Sequence, residues 1–381
     1  MTENLQLLAA ALAQNGENPP PLSMLVGLDG FVDEIIHMVD QRFDFQNYSR
    51  IPTLDALGAR IQNAAGHSTN LEMVPQQQKL GGNGPILSNA LLAMGVRLSY
   101  VGALGHPTPH PVFAEMAANA HRVYLTSNPG QSLCLEFDDG KLILGKHSTL
   151  KDITWARFKE VVGPPEHIAA LIAQMDLFGM ENWTMLPHMG EIWQGLIDEV
   201  FPLLPDWEAT GRPAPFAFFD LADPEKRTPE DIRHALAQIA AFGQKFRVAL
   251  GLNEKELYEI AHVLGIQDKT APRGDLNMPV QAVYQRLGIF CLVVHSPQRA
   301  CCWLDNTFAH VDSLFCAKPK LKTGAGDNFN AGFCLGLALG FPAHLVLTLG
   351  VCTAGYYVRH AHSPSYAQVL QFVHDGLANK I

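Results

Sequence analysis

Short apolar runs alternate with amphipathic stretches through the second half of the chain. In the amphipathic stretches apolar residues recur every three or four positions, which is the period of a helix with one buried face. The predicted strands are Leu177–Met180, Phe216–Phe219, Phe246–Leu250 and Ile289–Val294, and the predicted helices are Ile192–Leu203, Pro229–Phe242 and Glu254–Val263. This alternation predicts βαβ units, in which helices cover both faces of a mostly parallel sheet.

The first half of the chain is more polar and less regular. The predicted elements there are helices at Glu3–Ala13, Leu54–Ala64 and Pro85–Met94, strands at Met24–Gly27 and Leu98–Val101, and a hairpin whose strands Gln131–Phe137 and Lys141–Leu144 flank Asp139-Gly140. An Asp-Gly pair readily takes the positive φ angles of a tight hairpin turn. We expect one doubly wound, mostly parallel α/β domain over residues 1–381, with a small β-rich lid inserted at its edge by residues of about 31–80 and 106–150.

Charge and cysteine content exclude several classes of protein. Lys and Arg total 27 against 37 Asp and Glu, a net charge of −10, and no stretch concentrates basic residues, which argues against a nucleic-acid partner. The seven cysteines include no Cys-x-x-Cys pair, so they are predicted to be reduced residues of a cytoplasmic protein. The uncharged stretch Asn330–Val358 is broken at Gly340-Phe341-Pro342. Since each half is too short to span a bilayer, two buried helices are predicted there.

A glycine-rich turn late in the chain carries the clearest sign of chemistry. The small residues Gly324, Ala325 and Gly326 allow the chain to turn tightly into a helix that begins near Asp327. Free N–H groups and the positive end of the helix dipole at such a start favour an anion such as a phosphoryl group. Asp327 could then accept the proton of an attacking alcohol. Alternatively, Asp327 is only an acidic residue that stabilises the start of a helix.

The sequence around this turn resembles a known family. Thr-Gly-Ala-Gly-Asp-x-Phe-x-Ala-Gly-Phe at residues 323–333 resembles the C-terminal signature of the ribokinase-like (PfkB) carbohydrate kinases. Gly81-Gly82-Asn83-Gly84 resembles their N-terminal signature more loosely. The resemblance covers about residues 25–373 and implies a ribokinase-like fold. It also implies that Asp327 is the catalytic base and that the amides of Gly324, Ala325 and Gly326 form an anion hole.

Asn253 and Glu256 are similar to the Asn-x-x-Glu motif with which this family helps to position Mg²⁺ near the phosphates, usually through water. They follow the predicted strand Phe246–Leu250, and their spacing places both on one side of the first helical turn. Hard oxygen ligands suit Mg²⁺, which keeps much of its water shell. The alternative is a capping box, in which Asn253 caps the helix and Glu256 bonds back to it.

Substrate-binding residues are expected near the first strand. Asp33, with Asp29 as a second candidate, follows the strand end at which open α/β sheets bind their ligands. The resemblance implies that a carboxylate in this region accepts hydrogen bonds from sugar hydroxyls, and that Gly82 and Asn83 face the same substrate. The alternative for Asp29 is that it only ties down its loop.

The nucleotide side departs from the family pattern. The family commonly has a Thr-x-Gly-x-x-Gly motif here, and this chain has His-Ser-Pro-Gln-Arg-Ala at residues 295–300 instead. The His-Ser pair is similar to the residues at the equivalent place in the ADP-dependent sugar kinases of the superfamily. ATP is the expected phosphoryl donor, with ADP as the alternative. Ser296, Lys322 and Thr323 are the residues expected to bind it. Lys322 would supply a positive charge near the phosphates; the alternative is that it is only a solvated surface lysine.

These features together predict a Mg²⁺-dependent kinase that transfers the terminal phosphoryl group of a nucleotide to a hydroxyl of a sugar or sugar-like molecule. A nucleoside is the alternative acceptor. A catalytically degenerate sensor of sugar or nucleotide is the alternative of another class. The expected partners are therefore small molecules, with no nucleic acid and no membrane, and the lid could pair two copies into a homodimer.

Overall fold

The computed structural model describes residues 1–16, 18–268, 274, 276–378 and 380. The strands are β1 Ser23–Leu28, β2 Phe31–Arg42, β3 Tyr48–Arg50, β4 Met73–Gly81, β5 Arg97–Gly102, β6 Arg122–Leu125, β7 Gly130–Glu136, β8 Lys141–Lys146, β9 Leu177–Glu181, β10 Phe216–Asp220, β11 Arg247–Asn253, β12 Cys291–His295, β13 Arg299–Leu304 and β14 Thr307–Asp312. The α-helices are α1 Thr2–Ala13, α2 Leu54–Asn63, α3 Asn83–Ala93, α4 Ala114–Asn119, α5 Trp155–Val162, α6 Pro165–Ile172, α7 Met189–Gly195, α8 Trp207–Thr210, α9 Pro229–Ala241, α10 Glu254–Val263, α11 Asn277–Leu287, α12 Ala325–Ala338, α13 Ala343–His360 and α14 Tyr366–Leu377.

Nine strands form one large sheet in the order β14-β13-β12-β11-β10-β9-β1-β5-β6. The strands from β12 to β6 pair in parallel, whereas β13 and β14 are added at one edge by antiparallel pairing. Every residue of β9 and β10 is buried, because helices cover both faces of the sheet. The predicted fold class, a mostly parallel α/β sheet flanked by helices, is confirmed.

Each face of the large sheet has its own core. Successive strand residues point to opposite faces, so Leu25 belongs to one core and Met24 and Val26 belong to the other. The predicted pair of buried helices in Asn330–Val358 is confirmed as α12 and α13, which lie in the second core and are separated at Gly340. Within the described part of the chain, no helix combines the length and the apolar character that a membrane span requires.

Five strands form a smaller sheet beside the carboxyl ends of the large one. Strand β2 pairs antiparallel with β3 and β4 and in parallel with β7, and β8 pairs antiparallel with β7. A small apolar core that includes Ile36, Leu57 and Leu135 holds it together. The predicted lid segment 106–150 is divided between the two sheets, because β6 pairs with β5 in the large sheet and only β7 and β8 lie in the small one. We call the five-stranded sheet the lid.

Two regions differ from their predicted elements. The predicted helix Ile192–Leu203 is α-helical only to Gly195, then widens into a π-helical turn at Leu196–Val200 and tightens at Phe201–Leu203, where Pro202 has no N–H group to continue the helix. The long strands β2 and β4 lie in the first half of the chain, and the sequence at these positions shows no regular pattern of apolar residues and predicts no strand. Most β4 side chains are exposed, so the apolar alternation that reveals a half-buried strand is absent.

Candidate active site

The carboxyl ends of the parallel strands bring polar residues into one row. Asp29 follows β1, Glu181 ends β9, Asp220 ends β10, Asn253 ends β11 and His295 ends β12. Neighbouring strands are in register there, with Asp220 opposite Glu181 and Asn253 opposite His295. Ligands of open α/β sheets bind at this edge, and the lid begins directly after β1. This edge is therefore the candidate active site.

Asp327 lies in the first turn of α12 and meets Asn83 at the start of α3. The side-chain amide of Asn83 donates to Oδ1 of Asp327 over 3.0 Å, although the two residues are 244 positions apart. Burial, and next the nearby carboxylate of Asp29, raise the pKa of Asp327 to about 8. A carboxyl group with a pKa close to the working pH is well suited to exchange a proton with a substrate.

The turn before Asp327 is shaped by glycine. Gly324 has a φ of 88°, and a Cβ atom there would lie 2.8 Å from the hydroxyl oxygen of Tyr357. That hydroxyl donates to the carbonyl of Thr323 over 2.7 Å. Among the predicted anion-hole amides, the N–H of Ala325 already donates to the carbonyl of Lys322 over a long 3.2 Å. The turn is thus held tightly against α13.

Asp29 is fully buried and anchors the start of α3. Its carboxylate accepts hydrogen bonds from the main-chain N–H groups of Asn83 and Gly84, over 3.0 and 2.9 Å, and from the side-chain amide of Asn182 over 2.8 Å. A Cβ atom at Gly84 would lie 2.7 Å from Oδ1 of Asp29, which leaves room for glycine alone. Burial raises the pKa of Asp29 to about 6, against the effect of these hydrogen bonds. These contacts favour an anchoring role over sugar binding.

Asp33 lies on β2 of the lid and exposes 7% of its surface. It stands opposite Lys79 of β4 and Ser132 of β7. Burial raises the pKa of Asp33, whereas a hydrogen bond from Ser132 and the charges of Lys79 and Lys141 lower it. Its carboxylate approaches Gly81 so closely that a Cβ atom there would collide with it. Asp33 therefore lies beside the Gly-Gly turn that carries Gly82 and Asn83.

Asn253 and Glu256 form a capping box at the start of α10. The N–H of Glu256 donates to Oδ1 of Asn253 over 3.0 Å, and the N–H of Asn253 donates to Oε2 of Glu256 over 2.8 Å. Oε1 of Glu256 accepts from the N–H of Asp223 over 2.9 Å. Within the described ranges, no three acidic, histidine or cysteine side chains are grouped so that they could hold a metal ion. Both carboxyl oxygens of Glu256 and Oδ1 of Asn253 already accept main-chain hydrogen bonds, an arrangement that fits contact with Mg²⁺ through the ion's water shell.

A cavity of about 670 Å³ opens beside the glycine-rich turn. Its wall includes His295, Ser296, Lys322 and Gly326, together with apolar residues of α12 and α13. The hydroxyl of Ser296 closes the turn between β12 and β13, donating to the carbonyl of Arg299 over 3.1 Å. Burial lowers the pKa of His295 to about 4, so its ring is neutral at pH 7. The size and position of the cavity suit a nucleotide.

Two further buried carboxyl groups, those of Glu181 and Asp220, lie at this edge and are not among the site residues predicted from the sequence. Glu181 is fully buried, and neither carboxyl oxygen has a hydrogen-bond partner among the described residues. Asp220 accepts hydrogen bonds from the N–H of Ala222 and the side-chain amide of Asn330, each over 2.9 Å. Burial raises the pKa of both groups, and the charges of neighbouring carboxylates add to it. Each of them ends an apolar strand. A search for carboxylates at the carboxyl ends of predicted strands, which selects Asp33, would also have selected these two residues.

The family of the chain follows from comparison with known proteins. Residues 6–376 match the family described as prokaryotic ketohexokinase. The chain belongs to that family. The ketohexokinase of Haloferax volcanii is 29% identical over 352 residues, which cover 92% of this chain and 90% of that protein. The prediction of a carbohydrate kinase is confirmed.

Solved structures agree with this family in fold. An Arabidopsis thaliana ribokinase complexed with ribose and ATP matches with a TM-score of 0.61 and 17% identity, over 93% of this chain and 98% of that one. Adenosine kinase of Sinorhizobium meliloti matches with a TM-score of 0.62 and 15% identity, over 93% and 99%. The ribokinase-like fold implied by the sequence motifs is therefore confirmed for this member of the prokaryotic ketohexokinase family.

Proposed function

We propose that this family member transfers the γ-phosphoryl group of ATP to a hydroxyl group of a ketohexose. The family match and the Haloferax relative support a ketohexose as acceptor, and the ribokinase complexed with ATP supports ATP as donor. The observation that carries the proposal is the 3.0 Å hydrogen bond between Asn83 and Asp327. It brings a candidate base, the Gly-Gly turn and the glycine-rich turn within reach of one substrate.

Asp327 acts as the general base in this proposal. Asn83 holds Oδ1, which leaves Oδ2 to accept the proton of the sugar hydroxyl. As the sugar oxygen attacks the γ-phosphorus, a new O–P bond forms and the bond to the β–γ bridging oxygen breaks, which yields ADP and a sugar phosphate. The N–H groups of Gly324 and Gly326 stabilise the charge on the transferring group, and that of Ala325 joins them if it gives up its long hydrogen bond to the carbonyl of Lys322.

Other residues of the site position the two substrates. Mg²⁺, when bound, would neutralise part of the phosphate charge, and Asn253 and Glu256 would hold it through water. The nucleotide would occupy the 670 Å³ cavity, bounded by Ser296 and Lys322. Thr323 is not among the residues that line this cavity, and from its place before Gly324 it would meet only the phosphate end of the nucleotide. Asp33, Gly82 and Asn83 would contact the sugar under the lid, which keeps out water that would compete as the nucleophile. Because the carboxylate of Asp29 already accepts hydrogen bonds from the start of α3, Asp29 would affect the sugar only by anchoring Asn83.

A transfer assay that crosses donors and acceptors tests the proposal. ATP and ADP are each combined with fructose, glucose, ribose and adenosine in the presence of Mg²⁺, and the sugar phosphate is measured directly. We expect the highest kcat/KM for ATP with fructose. Turnover with ADP alone would assign the other donor, and a preference for adenosine would contradict the ketohexose.

The raised pKa of Asp327 predicts the pH dependence of catalysis. A general base must be ionised, so kcat/KM for the sugar is expected to rise with pH and to level off above about pH 8. Below that pH it should fall about tenfold per pH unit, because the ionised fraction falls in that proportion. The profile is measured from pH 5.5 to 9.5 with saturating coupling enzymes. A flat profile between pH 6 and 9 would contradict the assignment of the base.

We further propose that the lid pairs two copies of the chain. Strand β8 is the last strand of the lid sheet, and its residues Leu142, Ile143 and Leu144 expose 37, 48 and 46% of their surface. An apolar sheet edge of this kind is prone to pair with another strand.

Substitution of Leu144 by Lys is expected to convert a dimer to a monomer in sedimentation velocity. Leu7 of α1 is equally exposed at 46%, so Leu7→Lys is the matched control and should leave the mass unchanged. A wild-type chain that sediments as a monomer at micromolar concentration would contradict the proposal.

A further inference from the structure

Lys141 joins the lid to the glycine-rich turn. It begins β8, and its Nζ donates to Oγ1 of Thr323, 182 positions further along the chain. Thr323 directly precedes Gly324, and its carbonyl is fixed by the hydroxyl of Tyr357. An ammonium group carried by the lid therefore lies at the entrance to the turn whose amides face the proposed phosphoryl group.

Lys141 lies near two carboxylates, those of Glu136 and Asp33, but is not tightly paired with either. Its partner across the hairpin is Glu136, and Asp33 stands opposite Lys79 on the adjacent strands of the lid. None of these carboxylates forms an ion pair with Lys141 among the described residues. Lys141 is exposed, but the protein around its ammonium group removes part of the water, and this desolvation together with the positive charge of Lys79 lowers the pKa of Lys141. Cys134, Asp33 and Glu136 act in the opposite direction and raise that pKa. Lys79 thus lies close enough to act on the charge of Lys141, and Lys141 itself contacts the turn.

The geometry leaves Lys141 able to bind an anion. A lysine ammonium has three N–H donors, and Thr323 takes one of them. The bond to Thr323 restrains a long, flexible side chain next to Gly324. In phosphoryl transfer, negative charge spreads over the three outer oxygens of the transferring group. A hydrogen bond from a cation to such an oxygen is about twice as strong as one between neutral groups.

We propose that Lys141 is a catalytic residue supplied by the lid, whose ammonium group donates to the transferring phosphoryl group beside Gly324. This inference rests on the kinase function proposed above. It gives the lid a second task besides excluding water, because closure completes the set of positive groups around the phosphoryl group. Rapid transfer then requires the closed lid, which protects the nucleotide from hydrolysis when no sugar is bound.

Three variants test the role of Lys141. Lys141→Met keeps an unbranched side chain only one atom shorter and removes its charge, whereas Lys141→Arg keeps the charge. Lys146→Met is the matched control, since Lys146 is exposed at the other end of the same strand. We expect Lys141→Met to lower kcat about 10²-fold or more, as loss of a single charge-stabilising donor commonly does. Lys141→Arg should recover part of this loss, and Lys146→Met should match the wild type in kcat and Tm.

The pattern of kinetic effects separates catalysis from a purely structural contact. A Lys141→Met enzyme with kcat within about threefold of the wild type would overturn the inference, as would a loss confined to KM. A loss accompanied by a lower Tm and not recovered by Arg would also overturn it, because it would indicate that Lys141 only fastens the lid. In each of these outcomes the wild-type enzyme still phosphorylates the sugar, so the proposed function stands.

A binding measurement tests the same inference without turnover. ADP with aluminium fluoride and Mg²⁺ mimics a transferring phosphoryl group, and ADP alone does not. We expect aluminium fluoride to raise the Tm of the ADP complex in the wild type and in Lys146→Met, but clearly less in Lys141→Met. ADP alone should shift all three equally. Equal shifts with aluminium fluoride would overturn the role of Lys141, whether or not the sugar has been identified correctly.

Discussion

Replacing Asp327 with Asn is expected to abolish turnover while nucleotide binding remains. The amide has nearly the same shape, and its oxygen can still accept the hydrogen bond from Asn83, but it cannot take a proton from the attacking hydroxyl. Removal of a general base typically lowers the rate by about 10²- to 10⁴-fold. The kcat with ATP and fructose measures this loss, and calorimetry with ATP measures the binding that should be kept.

The same variant is expected to be at least as stable as the wild type. Burial raises the pKa of Asp327 to about 8, so folding favours its protonated form. The stability that this protonation contributes is fully present below the ordinary aspartate pKa and is lost as the pH rises through about 8. At pH 8.5 the Tm of Asp327→Asn should therefore equal or exceed that of the wild type. Asp152→Asn, at an exposed position, is the control for an Asp-to-Asn change as such. Equal losses of turnover and nucleotide binding would contradict the assignment of the base.

The central strands of the large sheet can be predicted because each one is a short, continuous and mainly apolar segment of the sequence. Each residue of Phe216–Asp220 is buried by helices on both sides, so the strand appears in the sequence as an apolar run, residues 216–219, that ends at Asp220. The lid has no such pattern. Residues 76–78 of β4 are three glutamines on an exposed surface, and the strand is held by pairing with β2 more than 30 positions earlier. Only the three-dimensional neighbours of such a strand determine its position.

In the candidate site, too, short segments can be predicted from the sequence and long-range contacts cannot. The glycine-rich turn and the capping box are short, so the residue types within each suggest both the functional and the structural role. The contact between Asn83 and Asp327 joins segments from opposite ends of the chain, and no local spacing predicts it. For Asp29, the sequence leaves sugar binding and anchoring open, and the three hydrogen bonds to its carboxylate favour anchoring.

Asp29 and Asp33 are expected to respond differently to the same substitution. In the wild type, each carboxylate oxygen of Asp29 accepts a hydrogen bond from a main-chain N–H group. In Asp29→Asn, an NH₂ group replaces one of these oxygens and cannot accept, so one buried N–H group loses its partner. Each such loss lowers the free energy of unfolding by about 1–3 kcal/mol. The start of α3 then shifts, and kcat falls because Asn83 no longer holds Asp327 in place. In Asp33→Asn, a neutral amide replaces a buried carboxylate, so the free energy of unfolding should be kept. The KM for the sugar should rise, because the proposed carboxylate ligand of the sugar is lost.

Thermal unfolding and sugar kinetics, measured on both variants, decide between the two roles. We expect a lower Tm and a lower kcat for Asp29→Asn, and a wild-type Tm with a higher sugar KM for Asp33→Asn. Asp152→Asn again serves as the control. An Asp29→Asn variant with the wild-type Tm and a higher sugar KM would make Asp29 a sugar ligand instead of an anchor. An Asp33→Asn variant with the wild-type KM would remove Asp33 from the sugar site, and the acceptor would then be held from the side of Gly82 and Asn83 alone.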